Sequence, residues 1–198
     1  MYGCRGITLS PRISKLFEMC ILDRYGEYLW SSDLQFGFKK GIGCNHALYM
    51  IRSVVEYFTA AGSVINLCAL STIYSGVRRG VILPVLFAVY VNSLIEMLRH
   101  SGYGCYVDNL FVGCVMYADD LLLVSASIHK LQLMVDTCCS EAIKLDMKFN
   151  ASKSQAIRIG KSHRTDICHI CLVDELKYLG WYVVSAKCFK VSPPPFWF

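Results

Sequence analysis

The sequence predicts an α+β fold, in which an antiparallel sheet packs against amphipathic helices. Three observations predict it. Residues 110–124 hold two short apolar arms, Leu110 to Met116 and Leu121 to Val124, on either side of Tyr117-Ala118-Asp119-Asp120. Each arm reads as a buried strand, and the polar centre reads as the turn between them. Ser63 to Leu70 is a further buried strand. The segments around these strands carry apolar residues at helical spacing instead.

Composition bounds the rest. The chain has 198 residues, 55% of them hydrophobic, eleven cysteines and a formal net charge of +5. That length can bury a real core. Met1 to Ser10 lacks the continuous apolar stretch of a secretory signal. Cysteines without such a signal predict reduced thiols and an intracellular, non-secreted protein. The longest apolar run, Val81 to Val91, is too short to span a bilayer and contains Pro84, so no membrane partner is expected. The modest positive charge permits a polyanionic partner without demanding one.

The elements follow in order. Ser10 is placed to cap a helix with Pro11 at its first position, and Ile13, Leu16, Phe17, Cys20 and Ile21 recur at helical spacing to about Leu29. Gln35-Phe36-Gly37-Phe38-Lys39-Lys40-Gly41 is a basic, glycine-punctuated turn. Asn45 to Ala61 predicts a second helix, with Ala47, Met50, Ile51, Val54, Val55 and Phe58 on its buried face and Gly62 at its end. After the strand at 63–70 comes a second basic loop, Ser75 to Gly80, then an apolar helix from Pro84 to Leu98. Asp108-Asn109 marks a turn before the carboxylate hairpin. Ser127 to Leu145 predicts a long helix that buries Ile128, Leu131, Met134, Val135, Cys138 and Ala142. Residues 144–164 are rich in Lys, Arg and His, and 175–184 reads as a strand pair.

Asp119 and Asp120 carry the chemistry. Two ionised carboxylates at one turn are costly to hold together unless cations neutralise them. Paired divalent ions do so in phosphoryl and nucleotidyl transfer. A solvated turn is the competing reading, since Asp is a common turn residue. Cys168-His169-Ile170-Cys171, with His163 nearby, has one pair of zinc-ligand spacing without a second, and incidental thiols are the favoured reading.

In this order the motifs resemble the reverse transcriptases of non-LTR (LINE-like) retrotransposons. Tyr2 to Ser10 and Lys15-Leu16-Phe17-Glu18 are similar to the start of that family's fingers. Gln35 to Gly41 resembles its QFGF segment. Gly76-Val77-Arg78-Arg79-Gly80 with Leu83-Pro84-Val85-Leu86-Phe87 resembles its GVRQG…SPxLF motif. Tyr117-Ala118-Asp119-Asp120 matches its metal-binding motif, Asn150 to Ser154 resembles the segment that follows, and Lys177-Tyr178-Leu179-Gly180 resembles its primer-grip hairpin. The resemblance covers roughly residues 2 to 191. It implies a polymerase palm, an antiparallel sheet with helices on one face, at 63–191. Residues 1–62 become a partial helical fingers region and 192–198 an irregular tail. The thumb and any preceding endonuclease domain are expected to be missing.

The implied activity is RNA-directed DNA polymerisation, with an RNA template, a DNA primer and Mg²⁺. The resemblance makes Asp119 a metal ligand and Asp120 the second acidic residue. It places Gly76 and Gly80 where backbone approaches template or nucleotide. Arg78 would contact phosphate, and Lys153 would lie near the leaving phosphates or simply in solvent. Tyr117 would pack near the primer end, or stand as a half-buried strand tyrosine. Tyr178, Leu179 and Gly180 would grip the primer. One departure is decisive. The family places a third carboxylate at the end of the strand that begins here at Leu67-Cys68-Ala69-Leu70, but Ser71-Thr72-Ile73-Tyr74 follows, and no Asp or Glu occurs between Glu56 and Glu96. The segment that normally separates strand and loop also looks deleted. The expected result is an inactive copy, with a non-catalytic RNA or RNA–DNA binding remnant as the alternative.

Overall fold

The computed structural model describes residues 11–73, 80–160, 172–186 and 189–192. Its centre is an antiparallel sheet. Strand β1 (Ile65–Ile73) pairs with the later strand β5 (Asp120–Ser125) on one side. On its other side it meets β7 (Gln155–Ile159) along its first half and β6 (Lys148–Phe149) at its far end. β4 (Cys114–Tyr117) lies outside β5. The edge of β4 is covered, because Phe36 N–H donates to the Met116 carbonyl at 2.7 Å and Met116 N–H donates to the Leu34 carbonyl at 2.9 Å. β2 (Tyr106–Val107) and β3 (Leu110–Phe111) form a separate small hairpin whose turn is Asp108-Asn109. The strand arm expected from 110 is therefore shorter, starting at Cys114. β8 (Glu175–Tyr178), β9 (Trp181–Val184) and β10 (Lys190–Ser192) make a three-stranded sheet.

The run Leu121-Leu122-Leu123-Val124 explains why β5 sits inside the sheet. All four side chains are buried. Leu121 and Leu123 meet Cys68, Leu94, Ile95, Leu98, Leu131 and Met134, from β1, α4 (Asn92–His100) and α5 (Ile128–Lys144). Leu122 and Val124 meet Ile51, Val54 and Val55 of α2 (Cys44–Ala60), together with Leu176 and Val183 of the terminal sheet. Period-two alternation sends neighbours to opposite faces, and both faces here are apolar. Helices on one face alone would leave half of this burial unmade, at about 1.5–3 kcal/mol per leucine. The expectation of helices on one face is thus corrected: α4 and α5 cover one face, and α2 covers the other.

The helices follow the sequence closely, with informative exceptions. Ser127 caps α5, its Oγ accepting from the Lys130 N–H at 3.4 Å. Gly62 takes φ +77 just beyond α2, the left-handed geometry that ends helices. The helix expected from Pro84 to Leu98 is two, α3 (Leu83–Tyr90) and α4, joined at buried Val91. α3 is apolar on all sides, whereas α4 buries only Leu94, Ile95 and Leu98. The break lets α4 aim that stripe at α5. Asn92, at its first turn, accepts the Ser32 N–H at 2.7 Å. β7 was hidden by the basic residues around it. Among the described residues seven cysteines are free. Burial pushes the Cys68 and Cys114 thiols up to about 12, so both are inert packing groups. No described helix is long and apolar enough to cross a membrane.

Helix α1 (Arg12–Tyr25) buries none of its residues, contrary to the expected packed stripe. Its N-cap is Pro11, and the proposed capping Ser10 lies outside the described residues. Ile13 is 81% exposed and Phe17 66%, while the less exposed positions include Ser14 and Glu18. The Glu18 carboxylate turns inward and accepts the N–H groups of Val81 and Ile82. The face of α1 turned toward the protein is thus mixed, Ser14 and Glu18 with Ile21 and Leu22, while Ile13, Leu16 and Phe17 face solvent. Such a stripe predicts concentration-dependent self-association. Sedimentation should show it, with Phe17→Glu reducing it; a concentration-independent monomer would count against it.

Candidate active site

Asp119 and Asp120 stand at the tip of the β4–β5 hairpin, where Tyr117 pairs with Asp120 and Ala118-Asp119 form a two-residue turn. Ala118 has φ 57. A left-handed residue at the first central position is a type II′ requirement normally met by glycine, so alanine there costs about 1 kcal/mol. Two side chains from outside the hairpin hold this strained tip. The Gln35 amide accepts the Ala118 N–H at 3.1 Å and donates to the Ala118 carbonyl at 3.3 Å. The Thr72 hydroxyl donates to the Asp119 carbonyl at 3.0 Å. Gln35 was legible only as part of a basic turn; its burial was not.

The register fixes what lies beside the carboxylates. Ser71 of β1 is the cross-strand partner of Asp120. Its carbonyl accepts the Asn150 N–H at 2.8 Å. Asn150 in turn closes the 150–154 loop, its carbonyl accepting the Ser154 N–H at 2.9 Å. That loop sets exposed Lys153 near Asp120. Burial raises the Asp120 carboxyl above its ordinary 3.8, the Asp119 charge adds to the rise, and Lys153 opposes it. Tyr178 lies buried against β4, its hydroxyl donating to the Val115 carbonyl at 3.3 Å. Burial, and then the Asp120 charge, push its phenol well above the usual range. Leu179 (φ 50) and Gly180 (φ 83) form the turn of the β8–β9 hairpin.

The structure thus brings together Asp119, Asp120, Tyr117 and Lys153, with Tyr178 packed alongside. Gly80 lies apart, against the Glu18 carboxylate. Gly76, Arg78 and the Cys168/Cys171 pair lie outside the described residues.

A raised folded pKa on an acid means that the ionised form costs stability. That cost is fully present above the raised value and disappears as pH falls toward 3.8. Asp120→Asn should therefore raise the melting temperature at pH 7 by about 1–3 °C, a small gain because water screens a half-exposed carboxylate. The gain should vanish near pH 4. Thermal melts of both forms across that range check it, and an equal difference at both pH values would refute it.

The fold is a mixed helix and antiparallel-sheet architecture with a carboxylate hairpin at its centre, and comparison with known proteins gives the family. A family model described as reverse transcriptase (RNA-dependent DNA polymerase) matches residues 34–183. The chain belongs to the reverse transcriptase family. No curated protein matches it. Family members use divalent metal ions on nucleic-acid substrates. Among the described residues no three His, Cys, Asp or Glu side chains gather where they could hold one. Asp119 and Asp120 offer carboxylate oxygens, but β1 beside them presents Ser71 and Thr72, and the Thr72 hydroxyl is already donating to Asp119. Mg²⁺ demands a near-octahedral set of hard oxygens. This donor set is short of it.

Proposed function

We propose that the chain is the palm of a non-LTR (LINE-like) reverse transcriptase, internally deleted after β1, that performs no polymerisation. In this reading residues 63–191 are the palm, 1–62 a partial fingers region and 192–198 a tail. The single observation that carries it is the pairing of Ser71 with Asp120. A serine and a threonine occupy the end of the strand where the family resemblance calls for an aspartate. The β8–β9 turn at Leu179-Gly180 stands as the primer grip, and Gly76, Gly80 and Arg78 as the nucleotide-side loop. Primer extension on a homopolymer RNA template, with Mg²⁺ and then Mn²⁺, tests the proposal. Absence of template-dependent product supports it, and product overturns it.

A second reading, a palm that still grips RNA or an RNA–DNA duplex, is favoured by exposed Lys153 beside the hairpin. It requires binding whose logarithm falls linearly with log salt. Binding that is absent at low salt would exclude it.

A further inference from the structure

We propose that Gln35 is the positioning residue of the carboxylate turn, with Gly37 as the space that admits it. The proposal rests on the reading of Asp119-Asp120 as the palm's carboxylate pair only for what the turn is for. The contact itself stands on geometry.

Gln35 is fully buried. Its Oε1 accepts two backbone N–H groups, from Gly37 at 2.9 Å and from Ala118 at 3.1 Å, while its Nε2 donates to the Ala118 carbonyl at 3.3 Å. One side chain thus binds both polar backbone groups of the residue with positive φ. Gln35 is itself fixed, because Leu34 and Phe36 bond the Met116 backbone on either side of it. A Cβ at Gly37 would overlap the Ala118 backbone nitrogen, so only glycine lets this segment pass behind the turn. From the other side Thr72 holds the Asp119 carbonyl at 3.0 Å. The tip is gripped at both central residues, and the exposed side chain leaving it is that of Asp119. A hairpin already closed by its strand ladder does not need these bonds to form. Their effect is to set the direction of the tip, and with it of the two carboxylates.

Amide hydrogen exchange on the full chain, resolved by NMR, tests the assignment. Gln35→Met keeps the volume and removes the acceptor. Exchange at Ala118 and Gly37 should rise at least about tenfold, while Cys68 and Leu123 in the sheet stay within about twofold. Gln35→Glu keeps the acceptor oxygen but turns a second oxygen on the Ala118 carbonyl. It should therefore hold both amides slow only at acid pH, where the buried carboxyl is protonated and can donate, a rescue that a space-filling role would not predict. Gly37→Ala displaces the turn from behind with Gln35 intact, and should speed Ala118 selectively. It serves where Gln35→Met fails to fold. Unchanged exchange at Ala118 in Gln35→Met, or equal acceleration throughout β4 and β5 in the variants, overturns the proposal. Primer extension does not enter this test, so its outcome and that of the proposed function are read separately.

Discussion

Template-dependent incorporation by the purified chain should lie at background, roughly a thousandfold or more below a complete two-metal site. That factor corresponds to about 4 kcal/mol of transition-state stabilisation. The argument begins with the register. Ser71 opposes Asp120, and Thr72 gives its hydroxyl proton to the Asp119 carbonyl. Neither can act as an anionic ligand at neutral pH. Two-metal transfer depends on carboxylates that fix both ions and so fix in-line geometry, and placement of this kind supplies much of the rate in such sites. Among the described residues no other acid gathers with the pair. Asp33 is engaged by Arg99 at 2.7 Å, and Asp23 belongs to α1, whose one inward carboxylate contact runs from Glu18 to the start of α3.

Ser71→Asp should convert the hairpin into a divalent-cation site. The native chain should bind Mg²⁺ weakly, since two carboxylates supply too few hard oxygens for an ion that dehydrates reluctantly. Cross-strand partners place their Cβ atoms about 4.5–5.5 Å apart on one face, so an aspartate at 71 would join Asp120 directly. Calorimetry should show Mg²⁺ or Mn²⁺ affinity at least about tenfold tighter than in the native chain. Three carboxylates would also repel one another without metal. The variant should therefore melt below the native chain in chelator and recover when metal is added. Unchanged affinity in a folded variant would mean that residue 71 does not face the pair.

Much of this architecture was legible in the sequence. The β4–β5 hairpin, α2 and α5 announced themselves because their apolar residues repeat with the period of their element, and Ser127 and Gly62 marked ends. The place of the carboxylate pair at a hairpin turn was legible because two adjacent acids between apolar arms read as the turn joining two buried strands. Other features were not. β7 is five residues long and carries Gln155 and Arg158, so its buried Ala156, Ile157 and Ile159 gave no clean alternation. The break at Val91 serves to aim α4 at α5, which no local pattern encodes. Ile13, Leu16 and Phe17 of α1 face outward, and periodicity finds a stripe without saying which way it points. Gln35 was hidden because its role depends on Ala118, eighty-three positions away, and a lone glutamine in a basic turn carries no signal of burial.

The most direct measurement is a side-by-side primer-extension assay of the native chain and Asp119→Ala on one RNA template, with Mg²⁺ and with Mn²⁺. Equal, background incorporation by both proteins is the predicted result. Template-dependent incorporation by the native chain, abolished in Asp119→Ala, would contradict it.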